Sequence, residues 1–134
     1  MSDYRFSTPI QMRYSDFDML GHLNNAAYIT YFETARIEYY KTIGWDLKEI
    51  GSAVAHIDID FLIPVLAFDK IQCHVKTTSL GNTSFKMDYE ITSNNGNTIH
   101  CKSSTVMVYI DKTTGKANKI PTRVRELFSK YEEL

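Results

Sequence analysis

A chain of 134 residues is the size of one domain, and residues 1–134 are expected to fold around one core. Its 15 Lys plus Arg are offset by 16 Asp plus Glu, a net charge of -1. That excludes a general nucleic-acid binder, because no basic surplus is left to neutralise a phosphate backbone.

The composition, 43% hydrophobic and 23% charged, is that of an ordinary globule, neither disordered nor fibrous. No apolar run approaches the roughly 18 residues of a membrane span. The polar start Met1-Ser2-Asp3-Tyr4-Arg5 also lacks the layout of a signal peptide, so a cytoplasmic protein without membrane contact is expected.

Tyr4, Phe6, Ile10, Met12 and Tyr14 fall on one parity, with Arg5, Ser7, Gln11 and Arg13 on the other, which predicts a first half-buried strand. A polar loop follows from Ser15 to His22. Then Tyr28, Tyr31, Phe32, Ala35, Tyr39 and Ile43 recur at helical spacing, opened by Asn24 or Asn25 as N-cap and closed by Gly44. On this long helix Glu33, Arg36, Glu38 and Lys41 are expected to form the polar side.

Beyond a loop at Trp45 to Ser52, odd positions from Ala53 through Ile57, Ile59, Phe61 and Ile63 alternate with His56, Asp58 and Asp60 until Pro64, a second strand. His56, Asp58 and Asp60 share a face that is either solvated or borders a pocket. A third strand runs through Ile71, Cys73 and Val75. After the Leu80-Gly81-Asn82 turn, a fourth runs through Phe85, Met87, Tyr89 and Ile91.

Asn95-Gly96 marks a hairpin into a fifth strand, because both residues tolerate the positive φ of tight turns. In that strand Ile99 and Cys101 are odd while Val106, Val108 and Ile110 are even, which predicts a bulge or change of partner near Ser103 and Ser104. A Thr113-Thr114-Gly115 turn and a short helix from about Pro121 finish the chain. The element order and short turns describe an α+β domain in which a five-stranded antiparallel sheet carries one long helix on one face.

Two cysteines, Cys73 and Cys101, are too few and too far apart for a disulfide scaffold or a metal-binding pair, and both are read as reduced packing residues. Asp16-x-Asp18-x-x-Gly21 copies the start of a calcium loop, but Leu20 at its fifth position and Ala27 at its twelfth leave too few oxygen ligands. His22 with the two aspartates matches no defined metal-ligand spacing. No Gly-x-Ser-x-Gly elbow occurs, and Cys73-His74 and His100-Cys101 are strand neighbours pointing to opposite faces.

What remains is the loop between the first strand and the long helix. It packs Asp16, Asp18, His22, Asn24 and Asn25 against a helix N-terminus, whose unpaired N–H groups can hold a negative oxygen. Asp18 and Asn24 are either caps beside a Gly21 turn or members of a catalytic loop in which a carboxylate acts as base or nucleophile. The sharper reading is a carboxylate-based hydrolase that needs no metal.

The segment Tyr14-Ser15-Asp16-x-Asp18-x-x-Gly21-His22-x-Asn24-Asn25-x-x-Tyr28, running on to Ala35-Arg36, resembles the hotdog-fold acyl-CoA thioesterases of the 4-hydroxybenzoyl-CoA thioesterase branch. Gly81-x-x-Ser84-Phe85 and Ile120-Pro121 extend the resemblance over nearly the whole chain. It implies an antiparallel sheet wrapped around a long helix, dimers that join sheets edge to edge or assemble into dimers of dimers, and acyl-CoA held between protomers.

Carried over by position, the catalytic carboxylate is Asp18 and the oxyanion donor is the backbone N–H of Asn25, with Tyr28 at the helix start. His22-Leu23-Asn24-Asn25 also resembles a run in plant-type acyl-carrier-protein thioesterases, where Asp, Asn and His take part in catalysis. Here Leu20 stands where that pattern has Asn, and an acyl-carrier substrate is the alternative to acyl-CoA.

Gly21 and Asn24 are candidate substrate contacts, and Lys86, Lys102 and Arg36 are candidate cations for CoA phosphates. No cofactor is expected beyond coenzyme A as part of the substrate. A non-catalytic acyl-CoA sensor and a hotdog dehydratase or hydratase are the competing classes.

Overall fold

The computed structural model describes residues 3–134. Strands β1 (Phe6–Pro9), β2 (Ser52–Phe61), β3 (Gln72–Leu80), β4 (Ser84–Ser93) and β5 (Thr98–Asp111) form one antiparallel sheet in the order β1-β3-β4-β5-β2. A sixth strand, β6 (Lys116–Ala117), pairs with the end of β5. Among the described residues the sheet therefore has six strands rather than five, because the Thr113–Gly115 turn closes a two-residue hairpin too short to show periodicity.

Helix α1 (Asn25–Ile43) packs on one face of the sheet, and α2 (Thr122–Glu132) follows β6. Both ends of α1 match the residues that mark them. The Asn24 side chain accepts from the Ala26 N–H at 2.9 Å. Gly44 closes the helix at φ 99, left-handed backbone that only Gly enters without strain.

Tyr31, Phe32, Ala35, Tyr39 and Tyr40 of α1 are buried against Cys73, Val75, Phe85, Met87, Tyr89 and Ile91 of the sheet. At the C-terminal end of α1, Phe128 of α2 packs on Tyr39, Tyr40, Trp45 and Phe85. Glu132 fastens that end: its Oε2 accepts from the Tyr39 hydroxyl at 2.6 Å and from the Thr77 N–H at 2.9 Å, beside the register shift between Thr77 and Ser79. The 19 residues of α1 set this closed end roughly 28 Å from the other, where the loop with both aspartates enters.

Four expectations are corrected. The first strand ends at Pro9, and Tyr14 lies in a 3-10 turn, η1 (Tyr14–Asp16), 99% exposed. Arg36 is not on the polar side of α1: it is buried, and its Nη1 donates to the Tyr89 hydroxyl at 3.1 Å.

The irregularity in β5 lies at His100, where Ile91 pairs with Cys101 and Thr92 with Ile99, and not at Ser103 and Ser104. Cys101, Ser103, Thr105 and Met107 all face the core. Ser103 can do so because its hydroxyl donates to the Asp58 carbonyl, and Thr105 because its hydroxyl bonds the Tyr89 hydroxyl. In β2 a shift between Val54 and His56 leaves Ala55 unpaired, so Val54 and not Ala53 shares a face with Ile57, Ile59 and Phe61.

Candidate active site

The loop before α1 is built by its two aspartates, and they do different work. Asp16 is 6% exposed; its carboxylate accepts from the Tyr31 hydroxyl at 2.5 Å, from Arg13 Nη2 at 2.9 Å and from the Arg13 N–H at 3.1 Å. Burial opposes its charge, but the hydrogen bonds from Tyr31 and Arg13 outweigh burial and hold the carboxyl below the usual carboxylate range. The Asp16 carbonyl also accepts from the Asn24 N–H at 2.8 Å, which ties the loop to the helix cap. Asp16 is a structural anchor.

Asp18 is exposed at the mouth of a cavity of about 280 Å³ lined by His22, Leu23, Asn25, Tyr28, Phe61, Leu62, Ile63 and Pro64. Its Oδ1 accepts from the Leu20 N–H at 2.9 Å and the His22 N–H at 3.1 Å, which fixes the rotamer. Oδ2 accepts no hydrogen bond from the described residues and is free to act. Gly21, at φ 75, makes the turn that brings the His22 N–H back to Asp18.

At the helix start the Asn24 side chain takes the Ala26 N–H and the Asn24 carbonyl takes the Ala27 N–H at 2.9 Å. The Asn25 N–H has no acceptor among the described residues, so a donor at the positive end of α1 is left for a ligand.

Tyr28 is buried and meets Phe61 edge to face at 5.0 Å. Burial, with a contribution from Cys101, raises its hydroxyl pKa against the opposing effect of the Val65 backbone, so it stays a neutral phenol.

The structure thus brings Asp18, His22, Asn25 and Tyr28 to one cavity. Gly21 and Asn24 serve as turn and cap and do not line it. Arg36 is enclosed beneath the sheet, while Lys86 and Lys102 alternate with buried neighbours and project from the opposite face. The wall residues Leu62, Ile63 and Pro64 were not foreseen. The second strand does not run on through Ile63 to Pro64: the ladder stops at Phe61, and Leu62 and Ile63 both turn their N–H groups to the His100 carbonyl, so the chain runs along the cavity and not along the sheet.

Burial pushes the Cys101 thiol up to about 12 and raises Cys73 well above its ordinary value, so both are packing residues and not nucleophiles. Among the described residues no cluster of three or more His, Cys, Asp or Glu is arranged to hold a metal ion, and no helix is long and apolar enough to cross a membrane.

With this geometry the chain matches the family described as the Thioesterase-like superfamily over residues 12–128, and it belongs to that family. Its fold is the hotdog fold and its class is thioester hydrolase. It is 30% identical over 118 residues to the uncharacterized protein YsmA of Bacillus subtilis, covering 87% of this chain and 80% of that one. It is also 30% identical over 107 residues to a 1,4-dihydroxy-2-naphthoyl-CoA hydrolase of Crocosphaera subtropica, covering 75% and 78%. Among solved structures, a Thermus thermophilus thioesterase complexed with coenzyme A and zinc superposes with a TM-score of 0.88 at 33% identity, covering 100% of this chain and 99% of that one.

Proposed function

We propose that the protein, a single hotdog unit, hydrolyses an acyl-CoA thioester to the free acid and CoA in the cytoplasm, with Asp18 as the catalytic carboxylate. The observation that carries this reading is the pairing, across an apolar-walled cavity, of an Asp18 oxygen and an Asn25 N–H that have no hydrogen-bond partner among the described residues. The thioester oxygen sits at the Asn25 N–H, where a fixed donor stabilises the charge that develops on it.

Asp18 Oδ2 then either attacks the carbonyl carbon, giving a mixed anhydride that water opens, or takes a proton from a water that attacks. In both routes the C–S bond breaks and the sulfur leaves as thiolate, which needs no metal to depart. His22 and Tyr28 border the reacting group. CoA relatives in the family support the leaving group.

A panel of aliphatic and aromatic acyl-CoA and acyl-carrier thioesters, read by thiol release after exhaustive chelation, is expected to give turnover on at least one acyl-CoA. Turnover on carrier thioesters alone would move the substrate class. Tight binding without turnover on any of them would make the protein an acyl-CoA sensor.

We further propose that the working unit is a homodimer or a dimer of dimers. Strand β2 is a ten-residue edge whose core-side Val54 and Phe61 are 44% and 46% exposed, with Leu62 and Ile63 beside them. An unpaired edge with an apolar flank favours a symmetric copy of itself. Tyr31, Phe32, Tyr39 and Tyr40 of α1 are all buried within the protomer and offer a partner no aromatic face.

Lys86 and Lys102 lie on the outer face, so phosphate contacts by them belong to a cavity of another protomer laid against that face; Arg36 is too enclosed to take part. Light scattering across a dilution series, read beside specific activity, is expected to show activity falling as the assembly dissociates. A fully active monomer would contradict the shared site.

A further inference from the structure

The chemistry assigned to Asp18 leaves one buried histidine unused. His100 is 2% exposed and occupies the register shift in β5, which frees it from the ladder with β4. Its Nδ1 lies 3.0 Å from the Ile63 carbonyl and its Nε2 2.7 Å from Ser93 Oγ. Its own carbonyl accepts from the Leu62 N–H at 2.8 Å and the Ile63 N–H at 3.1 Å.

The partners dictate the tautomer. A carbonyl carries no proton, so Nδ1 is the donor to Ile63; in a neutral ring Nε2 is then the acceptor, and the Ser93 hydroxyl donates to it. The Ile63 carbonyl therefore sets the tautomer, and the Ser93 hydroxyl, able to donate or accept, adapts to it and orients the ring.

What His100 grips is the wall of the Asp18 cavity. Leu62, Ile63 and Pro64 line that cavity on one side, and Ile63 and Pro64 line a second hollow of about 560 Å³ on the other, together with Ser93 and His100. The wall is a partition between two spaces. One end is tied to the catalytic loop by the Leu23 N–H donating to the Val65 carbonyl at 2.8 Å, and the other end is tied by His100.

We propose that His100, its ring oriented by Ser93, is a positioning residue that holds the Leu62–Pro64 wall against the acyl thioester and thereby sets acyl-group selectivity. The inference rests on the Asp18 cavity being the thioester site. A wall displaced by about 1 Å lowers the rate of a positioned reaction by about 10²-fold, and an apolar wall discriminates single methylenes by about 10–200-fold.

The test compares His100→Leu, His100→Asn and Ser93→Ala with the unaltered protein. The readouts are kcat and KM over an acyl-CoA length series, affinities of non-hydrolysable acyl-CoA thioethers, amide exchange at Leu62 and Ile63, and imidazole nitrogen shifts. His100→Leu is expected to lower kcat/KM for the best acyl-CoA by about 10–100-fold, to flatten the length preference, and to speed exchange at Leu62 and Ile63. His100→Asn, whose amide N–H can reach the Ile63 carbonyl, is expected to restore most of the preference. Ser93→Ala, which removes the bond that orients the ring, is expected to fall between them in preference and in exchange at Leu62 and Ile63, with Nδ1 still protonated toward Ile63.

A folded His100→Leu protein that keeps the length preference overturns the proposal. If His100→Leu does not fold, Ser93→Ala decides, and an unchanged preference with unchanged exchange at Leu62 and Ile63 overturns it. Should the unaltered protein turn over no acyl thioester, the hydrolase reading fails, while the thioether affinities and exchange rates still decide whether His100 sets the wall.

Discussion

Asp18→Asn is expected to lower kcat by roughly 10²–10⁴-fold while leaving substrate affinity, the unfolding midpoint and the assembly state nearly unchanged. The substitution keeps volume, and the amide oxygen can still accept from the Leu20 and His22 N–H groups that fix the rotamer. What it removes is the charged oxygen that accepts no hydrogen bond from the described residues. Steady-state kinetics beside a thermal melt separate the two effects. A kcat loss below about threefold with normal folding would reduce Asp18 to a loop-shaping residue.

Asp16→Asn is expected to do the reverse: a loss of about 2–4 kcal/mol of stability with kcat per folded molecule largely retained. Its carboxylate is buried and takes hydrogen bonds from Tyr31 and from Arg13. An amide in that place presents an N–H toward donors that have nothing to give it.

The pH dependence follows from the same contacts. Because the folded-state pKa of Asp16 is lowered, its contribution is present above the unfolded value, 3.8, and is lost as pH falls through the lower folded value. Acid unfolding of the unaltered protein should therefore include an Asp16 step that Asp16→Asn lacks. Urea melts from pH 7 down to acid measure it, and parallel curves for the two proteins would contradict the anchor role.

Spacing alone did not tell the two aspartates apart, since Asp-x-Asp offers either one as base and either one as cap; only the family resemblance pointed to Asp18. Their roles depend on Tyr31, fifteen residues away and one helical turn past Tyr28, whose hydroxyl selects Asp16. Long helix, cap and C-terminal glycine were all legible, because Asn24 and Gly44 act through local backbone geometry. So were the hairpin at Asn95-Gly96 and strands β3 and β4, where apolar alternation and burial coincide.

Alternation misled where polar side chains face the core with partners supplied from elsewhere. Ser103 and Thr105 look like a change of phase until Asp58 and Tyr89 satisfy them. Arg36 looks like a solvent-facing residue until Tyr89 receives it. The cavity wall was hidden for a related reason: Leu62 and Ile63 continue the apolar pattern of β2, yet their N–H groups turn to the His100 carbonyl.

The central claim is that the Asp18 carboxylate breaks the acyl thioester at the start of α1. Single-turnover release of CoA, with enzyme in excess over the acyl-CoA that the unaltered protein prefers, tests it without interference from product release. The account predicts a full equivalent of CoA from the unaltered protein and a rate slower by roughly 10²–10⁴-fold from Asp18→Asn with the same substrate bound. Release at equal rates from both proteins would contradict it.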